Sequence, residues 1–421
     1  MSAQFRVLVS VALFVASGLL IWQVFFVDRS QKPVLAQPAA PSMSAKPYAA
    51  RDWEKPIPSV LNISVFLYSD RDRNGEYSTG DLPISGIRVT ATDVDGRQTQ
   101  NSSNINGYAN FKMSTSDASA PISKPDSVYN FEVMAPPGWQ VSSGNTAQAV
   151  RFVAMPGSVA GLVAEMAPAA VGLMPDLTVS GAIQSTSGQA RPTDLALLAT
   201  DPRGESRLIA LDEGGAFQFM ASPGDWLLLA SSEGLDWQLE RKVEVRSAPV
   251  HLMDIVVGEV RPEPMPVAIS EDFDWLTRSV IDKLPNGHAG LNWDYLLAVH
   301  NQQYQGPGYV NGLINGHAVG YNSSGHPVTV SARAGEVFDF VGAYFSVAWP
   351  QAAGETLEIV AWRGGERLSR KLITLSWIGP IYLDADLRGI DKLTLTASHY
   401  WQFVVDEMRF RLAQAPLPTR P

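Results

Sequence analysis

Twelve residues, Asp70-Arg-Asp-Arg-Asn-Gly-Glu-Tyr-Ser-Thr-Gly-Asp81, restrict the fold of this chain more than any other stretch. Oxygen-bearing side chains stand at the first, third, fifth, ninth and twelfth places (Asp70, Asp72, Asn74, Ser78, Asp81), with Glu76 at the seventh and Gly75 at the sixth. A hard divalent cation collects about six to eight oxygens; alternate residues of a tight loop can point inward, and glycine permits the sharp turn between them. The segment is therefore expected to bind Ca2+ through Asp70, Asp72, Asn74, Glu76, Ser78 and Asp81. Its flanks decide the architecture. Residues 63–68 before it and 87–92 after it alternate with period two and are rich in β-branched side chains, a strand pattern and not a helical one. A calcium loop held between strands suits an extracytoplasmic β-module, where free calcium is plentiful.

The rest of the chain agrees with an all-β reading. Charged residues are only 18%, Gly and Pro number 34 and 29, and no long helical heptads occur. A length of 421 residues leaves room for about two to four domains. The net charge of −10 argues against a nucleic-acid partner, which selects a basic face. With no cysteine, disulfide frameworks and thiol catalysis are excluded.

Residues 7–27 are almost wholly apolar, broken only by Ser10, Ser17, Gly18 and Gln23. As a helix they would extend about 31 Å, enough to cross a bilayer core. Phe25, Phe26 and Val27 lead straight into Asp28 and Arg29 without a small-residue cleavage site, the nearest being Val34-Leu35-Ala36. A retained membrane anchor over 1–30 is therefore expected, with a cleaved signal as the alternative. Residues 31–58, rich in Pro and Ala, read as an extended linker.

Three β-sandwiches are expected beyond it, at 59–168, 169–260 and 271–413, with a Pro-rich joint at 261–270 and a tail at 414–421. In the first, the order calcium loop, Ile84-Ser85-Gly86-Ile87-Arg88-Val89, then Asn106-Gly107-Tyr108-x-x-Phe111 is similar to the SdrD B-like repeats of bacterial surface proteins, within the Cna B-type sandwich group. That resemblance implies a structural calcium stiffening a stalk. Some Cna B-type relatives carry a Lys–Asn crosslink; the first strand here has no lysine, so it is not carried over. In the second, Leu177–Ile183, Gly214-Gly215-Ala216-Phe217-Gln218-Phe219 and Pro223-Gly224-Asp225-Trp226 resemble the carboxypeptidase regulatory-like sandwich, which implies a spacer or binding platform.

The third segment holds Trp275, Trp293, Trp349, Trp362, Trp377 and Trp401 and a succession of strand-like runs, which reads as a two-sheet jelly roll. Phe273-Asp274-x-Leu276, the string Leu284–Asp294, Gly308-Tyr309-Val310-Asn311-Gly312 and Phe403–Met408 resemble a β-sandwich domain of secreted bacterial and fungal proteins, itself similar to galactose-binding-like carbohydrate-binding modules. In such modules an early acid and a late one share a structural calcium, which implies Asp272 or Asp274 with Asp406 or Glu407. Sugar rings lie flat on exposed aromatics while amides and acids bond their hydroxyls. Trp293, Tyr304, Tyr309 and Trp362 are the chosen ligand-binding residues; Tyr295, Tyr321 and Trp401 also stand near turns.

The expected function is that of a membrane-tethered, extracytoplasmic binding protein in which a calcium-stabilised stalk presents a polysaccharide-binding tip. The alternative is a structural or adhesive scaffold of an envelope or matrix assembly with protein partners. An enzyme acting on glycans is the third reading, and no catalysis is expected. No His-x-His or His-Glu-x-x-His spacing, no Gly-x-Ser-x-Gly elbow and no marked pair of carboxylates occurs.

Overall fold

The computed structural model describes residues 61–157, 161–185, 194–232, 238–257, 261–276, 279–304 and 306–415. Among these the architecture is all-β, with helical turns of at most five residues. No helix among them is long and apolar enough to cross a membrane. The apolar run 7–27 lies outside the described residues.

Alternation builds the first sandwich. In Ser127–Val133 the residues Tyr129, Phe131 and Val133 point inward while their neighbours face water, and Tyr108–Met113 buries Ala109, Phe111 and Met113 in the same way. One sheet pairs Leu61–Ser69 with Tyr108–Met113 and, in parallel, with Val171–Pro175. The other runs Gln98–Ser102, Arg88–Thr92, Ser127–Val133, Ala147–Ala154, Leu162–Ala164. Val171–Pro175 lies beyond the boundary expected at 168, so this sandwich extends further than the sequence suggested.

The second sandwich has a four-stranded sheet, Ser206–Ile209, Ala196–Thr200, Gly224–Ser231 and Gln238–Val245. Its other sheet does not end at its own edge. Val250–Leu252 pairs in parallel with Ile381–Ile390 of the third sandwich, Val250 opposite Tyr382 and Leu252 opposite Asp384. The sheet continues through Phe338–Val347, Phe403–Leu412 and Ala318–Asn322. Facing it, Asn292–Asp294, Val328–Ser331, Lys392–Ala397, Thr356–Arg363 and Glu366–Thr374 form the second layer of the third sandwich. Trp293, Phe338, Phe340, Phe345 and Phe403 fill the space between.

The three sandwiches are packed into one another by these contacts. Everything described belongs to one compact unit. Tyr344 and Tyr382 of the third sandwich are part of the second sandwich's core, and Ile378 is part of the first's. Burying a side chain of that size stabilises by roughly 1.5–3 kcal/mol. Gly86 of the first sandwich, at φ +81°, meets the Trp377 ring so closely that a Cβ there would lie 2.2 Å from it. The Asn311 amide completes the junction, accepting from Ser85 N (2.8 Å) and donating to Ser85 O (2.9 Å). The Pro-rich joint is shorter than expected as well. Val267–Glu271 follows Pro266 directly as a strand on Phe403–Leu412, because a residue after the last proline can again supply ladder hydrogen bonds.

Candidate metal loop and recognition surfaces

The 70–81 loop leaves the end of Leu61–Ser69 and returns at Leu82–Pro83, which pair with each other and so fix its two ends. Gly75 turns at φ +82°. Asp70 and Asp81 are buried, Asp72 is exposed, and one carboxylate oxygen of each lies within 4.8 Å of the others. Asp70 accepts from the backbone of Asn74 (3.2 Å) and Gly75 (2.9 Å); Asp81 accepts from Arg71 N and Ser78 N, both at 2.8 Å. Asn74 Nδ2 and Ser78 Oγ both donate to Asp72, which gathers these side chains beside it, while Asn74 Oδ1 accepts from Glu76 N (2.6 Å). The Glu76 side chain is exposed, so its contribution to such a ring would be its backbone carbonyl.

Three carboxylates this close repel one another unless a cation sits among them. Among the described residues no Lys, Arg or His forms an ion pair with Asp70, Asp72 or Asp81. The two arginines of the loop point away. Arg73 donates to Pro175 O (3.2 Å), and Arg71 donates to the carbonyls of Leu313 and Ile314 in the third sandwich. An acidic ring with a glycine turn and only oxygen donors, whose Asp81 feels the Arg71 charge without pairing with it, fits a hard divalent cation.

Arg71 was not singled out in the sequence, because its role depends on a partner more than two hundred positions away. The Ile314 peptide that it caps at the carbonyl is held at the amide by Asp406, whose Oδ2 accepts from Ile314 N at 2.7 Å. Asp406 is fully buried, and burial pushes its carboxyl well above the usual range. The folded state therefore keeps this proton after the unfolded state, near pKa 3.9, has released it, and this group's contribution to stability declines as pH rises upward from about 4. Asp406→Asn does not titrate. Its unfolding free energy from urea denaturation, relative to the parent, is expected to improve as pH rises through that window, by at most about 1.4 kcal/mol per pH unit. A pH-independent difference would rule the raised carboxyl out.

The expected second calcium does not assemble. The described residues hold one group of three or more close metal-ligating side chains, at the 70–81 loop. Asp272 accepts from Asp274 N (3.1 Å), and Asp274 accepts from His317 N (2.8 Å) and Ala318 N (3.1 Å). Glu407 bonds the Arg409 guanidinium at 2.7 Å. First and last strands of this sandwich are joined instead by their backbones, Glu271 opposite Met408, so no ion is needed to tie them.

The ligand-binding choices are also corrected. Trp293 and Tyr309 are 0% exposed. Trp293 packs on Phe410 and donates its Nε1 to His288 O, while Asn286 bonds its backbone; the Pro-Asn-Gly string is a clamp on a core tryptophan. Tyr309 sits in a cluster with Tyr321 and Ala348, and half-buried Tyr304 covers it at 4.7 Å between rings. Half-buried Trp362 carries the Lys392 ammonium 4.7 Å from its ring centroid and donates to Thr394 Oγ1. The exposed rings of this sandwich are others: Tyr295 at 51%, Tyr400 at 74% and Trp401 at 38%.

A cleft of about 640 Å3 between the second and third sandwiches contains Asp384, Asp386 and Asp339. The Arg241 guanidinium forks between Asp386 and Asp384. Arg261 (2.8 Å) and Arg388 (2.8 Å) complete the shell of Asp386. Burial pushes the Asp384 carboxyl up, whereas for Asp386 the surrounding Arg388, Arg241 and Arg261 outweigh burial and hold it below the usual range. Both oxygens of Asp339 accept backbone amides, from Met265 (2.7 Å) and Gly389 (2.8 Å). The Asp384–Asp386 pair is thus held by Arg241 as an ion-pair brace between the two sandwiches.

No family model matches the chain, and none of the curated proteins compared with it matches. Among solved structures, the TIE protein of Bacillus anthracis aligns over 47% of this chain at 11% identity and a TM-score of 0.19; this chain spans 34% of that protein. GBS52, the minor pilin of Streptococcus agalactiae, aligns over 49% of this chain and 98% of its own at 12% identity and TM-score 0.19. The shaft pilin SpaA of Lactobacillus rhamnosus GG aligns over 48% of this chain and 100% of its own at 13% identity and TM-score 0.20.

Proposed function

We propose that this chain is a non-catalytic structural scaffold held outside the cytoplasm, its first sandwich braced by Ca2+ in the 70–81 loop. In this reading the apolar segment 7–27 is the membrane tether, and the partners are proteins of an envelope or matrix assembly. Asp70, Asp72, Asn74, Ser78, Asp81 and the Glu76 carbonyl would hold the ion, which supplies the positive charge that the converging carboxylates lack. The SdrD B-like, carboxypeptidase regulatory-like and jelly-roll assignments of the three sandwiches belong to the same proposal.

The observation that carries it is the sharing of cores: aromatic side chains of the third sandwich are built into the second, and Ile378 into the first. A body joined in this way transmits load without hinging between modules. A protein that works by closing over a substrate needs the opposite, a mobile joint beside a pocket.

The absence of native cysteine makes the test direct. Exposed Glu132 in the first sandwich and Glu213 in the second are replaced together by cysteine and spin-labelled. Calcium-saturated protein is expected to give a single narrow distance distribution; a broad one would return the molecule to independent beads. The single Glu132→Cys variant should also react, on intact cells, with a maleimide that cannot cross the cytoplasmic membrane. Labelling only after lysis would refute the extracytoplasmic placement.

A further inference from the structure

We propose that Ser142, which lies far outside the 70–81 loop in sequence, is a further ligand of the loop's cation and selects Ca2+ over Mg2+. This rests on the metal reading above and deepens it, because it brings a donor to the ring from a separate turn.

That turn follows Trp139–Val141 and is held against the start of the loop. Tyr68 stands opposite Gly172 in the parallel pairing of Leu61–Ser69 with Val171–Pro175. Asp70 N donates to Leu173 O and Ser142 N to Gly172 O, both at 2.9 Å, so the two residues hang from adjacent positions of one strand. Gly172 leaves room for them. A Cβ on it would come 2.6 Å from Ser142 Oγ and 2.7 Å from the Tyr68 hydroxyl. On the other side, a Cβ on Gly75 would come 3.1 Å from Ser142 O. Ser142 is thus wedged between Gly172 and the glycine on which the loop turns.

Its hydroxyl is orphaned. Among the described residues Ser142 Oγ is shut off from solvent and makes no hydrogen bond. Buried polar atoms are nearly always satisfied, and one that is not asks for an ion or a water. This one borders an acid. Burial pushes the Asp70 carboxyl up, yet the nearby Ser142 hydroxyl and the Gly75 amide outweigh burial and hold it below the usual range. The hydroxyl dipole lies close enough to favour the charged carboxylate, but too far off line for an ordinary hydrogen bond to it. A cation bound to Asp70 would give that oxygen its missing partner.

The consequence is selectivity. The loop's own candidates, Asp70, Asp72, Asn74, Ser78, Asp81 and the Glu76 carbonyl, already suffice for the octahedral shell of Mg2+. A neutral oxygen from outside adds to them without adding charge. Ca2+, which takes about six to eight oxygens in looser geometry, can use it; the smaller Mg2+ cannot.

The test is calorimetric titration of the full-length chain in detergent, parent and Ser142→Ala, with CaCl2 and with MgCl2. Ser142→Ala is expected to weaken Ca2+ binding by about fivefold or more and to leave Mg2+ binding unchanged. Terbium(III), an oxygen-seeking ion excited through Tyr77 of the loop, reports its bound waters by its luminescence lifetime in H2O against D2O. The variant should hold about one water more than the parent, in the place of the lost ligand. In EDTA the variant should melt no lower than the parent, because the hydroxyl it removes is unpartnered there. Equal Ca2+ affinity, equal water counts, or a melting temperature lowered as much in EDTA as in calcium would each overturn the proposal. A parent that binds no calcium would bring down the metal reading as well, whereas a parent that binds it and a variant that matches the parent would sink this inference alone.

Discussion

Arg241→Ala is expected to lower stability by about 3–5 kcal/mol, the loss seen when one partner of a buried ion pair is removed and the other is left behind. Arg241 reaches from Gln238–Val245 of the second sandwich to two aspartates on Ile381–Ile390 of the third, so it joins the two bodies beside their shared sheet. Asp386 would keep Arg261 and Arg388, and the damage falls on Asp384, whose carboxyl burial already pushes up. Without the guanidinium that carboxyl rises further, and the folded state takes up a proton that the unfolded state lacks. The penalty should therefore shrink as pH falls toward 4 and be full at pH 8. Urea denaturation of parent and variant at the two pH values measures this. Arg241→Met combined with Asp384→Leu should recover most of the loss, since an apolar pair of similar volume leaves no buried charge. A single variant that loses less than about 1 kcal/mol would place the pair among ordinary surface salt bridges.

Calcium removal should be the second large effect. At free calcium a hundredfold above Kd, binding adds about 2.7 kcal/mol to the folded state, and chelation with EDTA should lower the melting temperature accordingly. Asp70→Ala should abolish the calcium-dependent shift. In the absence of metal two effects oppose, since the part-buried Asn74 and Gly75 amides lose their acceptor, at a cost of up to about 1–3 kcal/mol, while the repulsion among the three carboxylates is relieved. Scanning calorimetry of both proteins with calcium and with EDTA separates the two contributions. Identical parent traces in calcium and EDTA would reject the metal.

The parts of this molecule legible in its sequence are the local ones. The 70–81 spacing places three carboxylates in one ring because loop ligands lie close in sequence, and alternation is legible in Ser127–Val133 and Lys392–Ala397 because one face is dry and the other wet. Ile381–Ile390 escaped notice for a physical reason. Asp384, Asp386 and Arg388 break its apolar run, but they line the cleft against the second sandwich, where Arg241 and Arg388 pair with the two aspartates. Composition near turns misjudged Trp293 and Tyr309, since an aromatic beside glycine can fill a core as readily as face water. The same reasoning did include Tyr295 and Trp401, but it had no means of ranking them. Backbone conformation does not rank them either, since Phe273 at φ +63° is fully buried while Tyr295 and Tyr400 at φ +60° are exposed; what separates them is the packing of the layers, which exists only in three dimensions.

Parallel pairing of Val250–Leu252 with Ile381–Ile390, and the insertion of Tyr344, Tyr382 and Ile378 into neighbouring cores, also set an order of assembly. The amino-terminal two sandwiches emerge during synthesis with uncovered apolar faces, and the residues that seal them arrive only with the last quarter of the polypeptide. Maturation is thus deferred to chain completion: a truncated product would be sticky instead of half-functional, and quality control has a simple cue by which to recognise it.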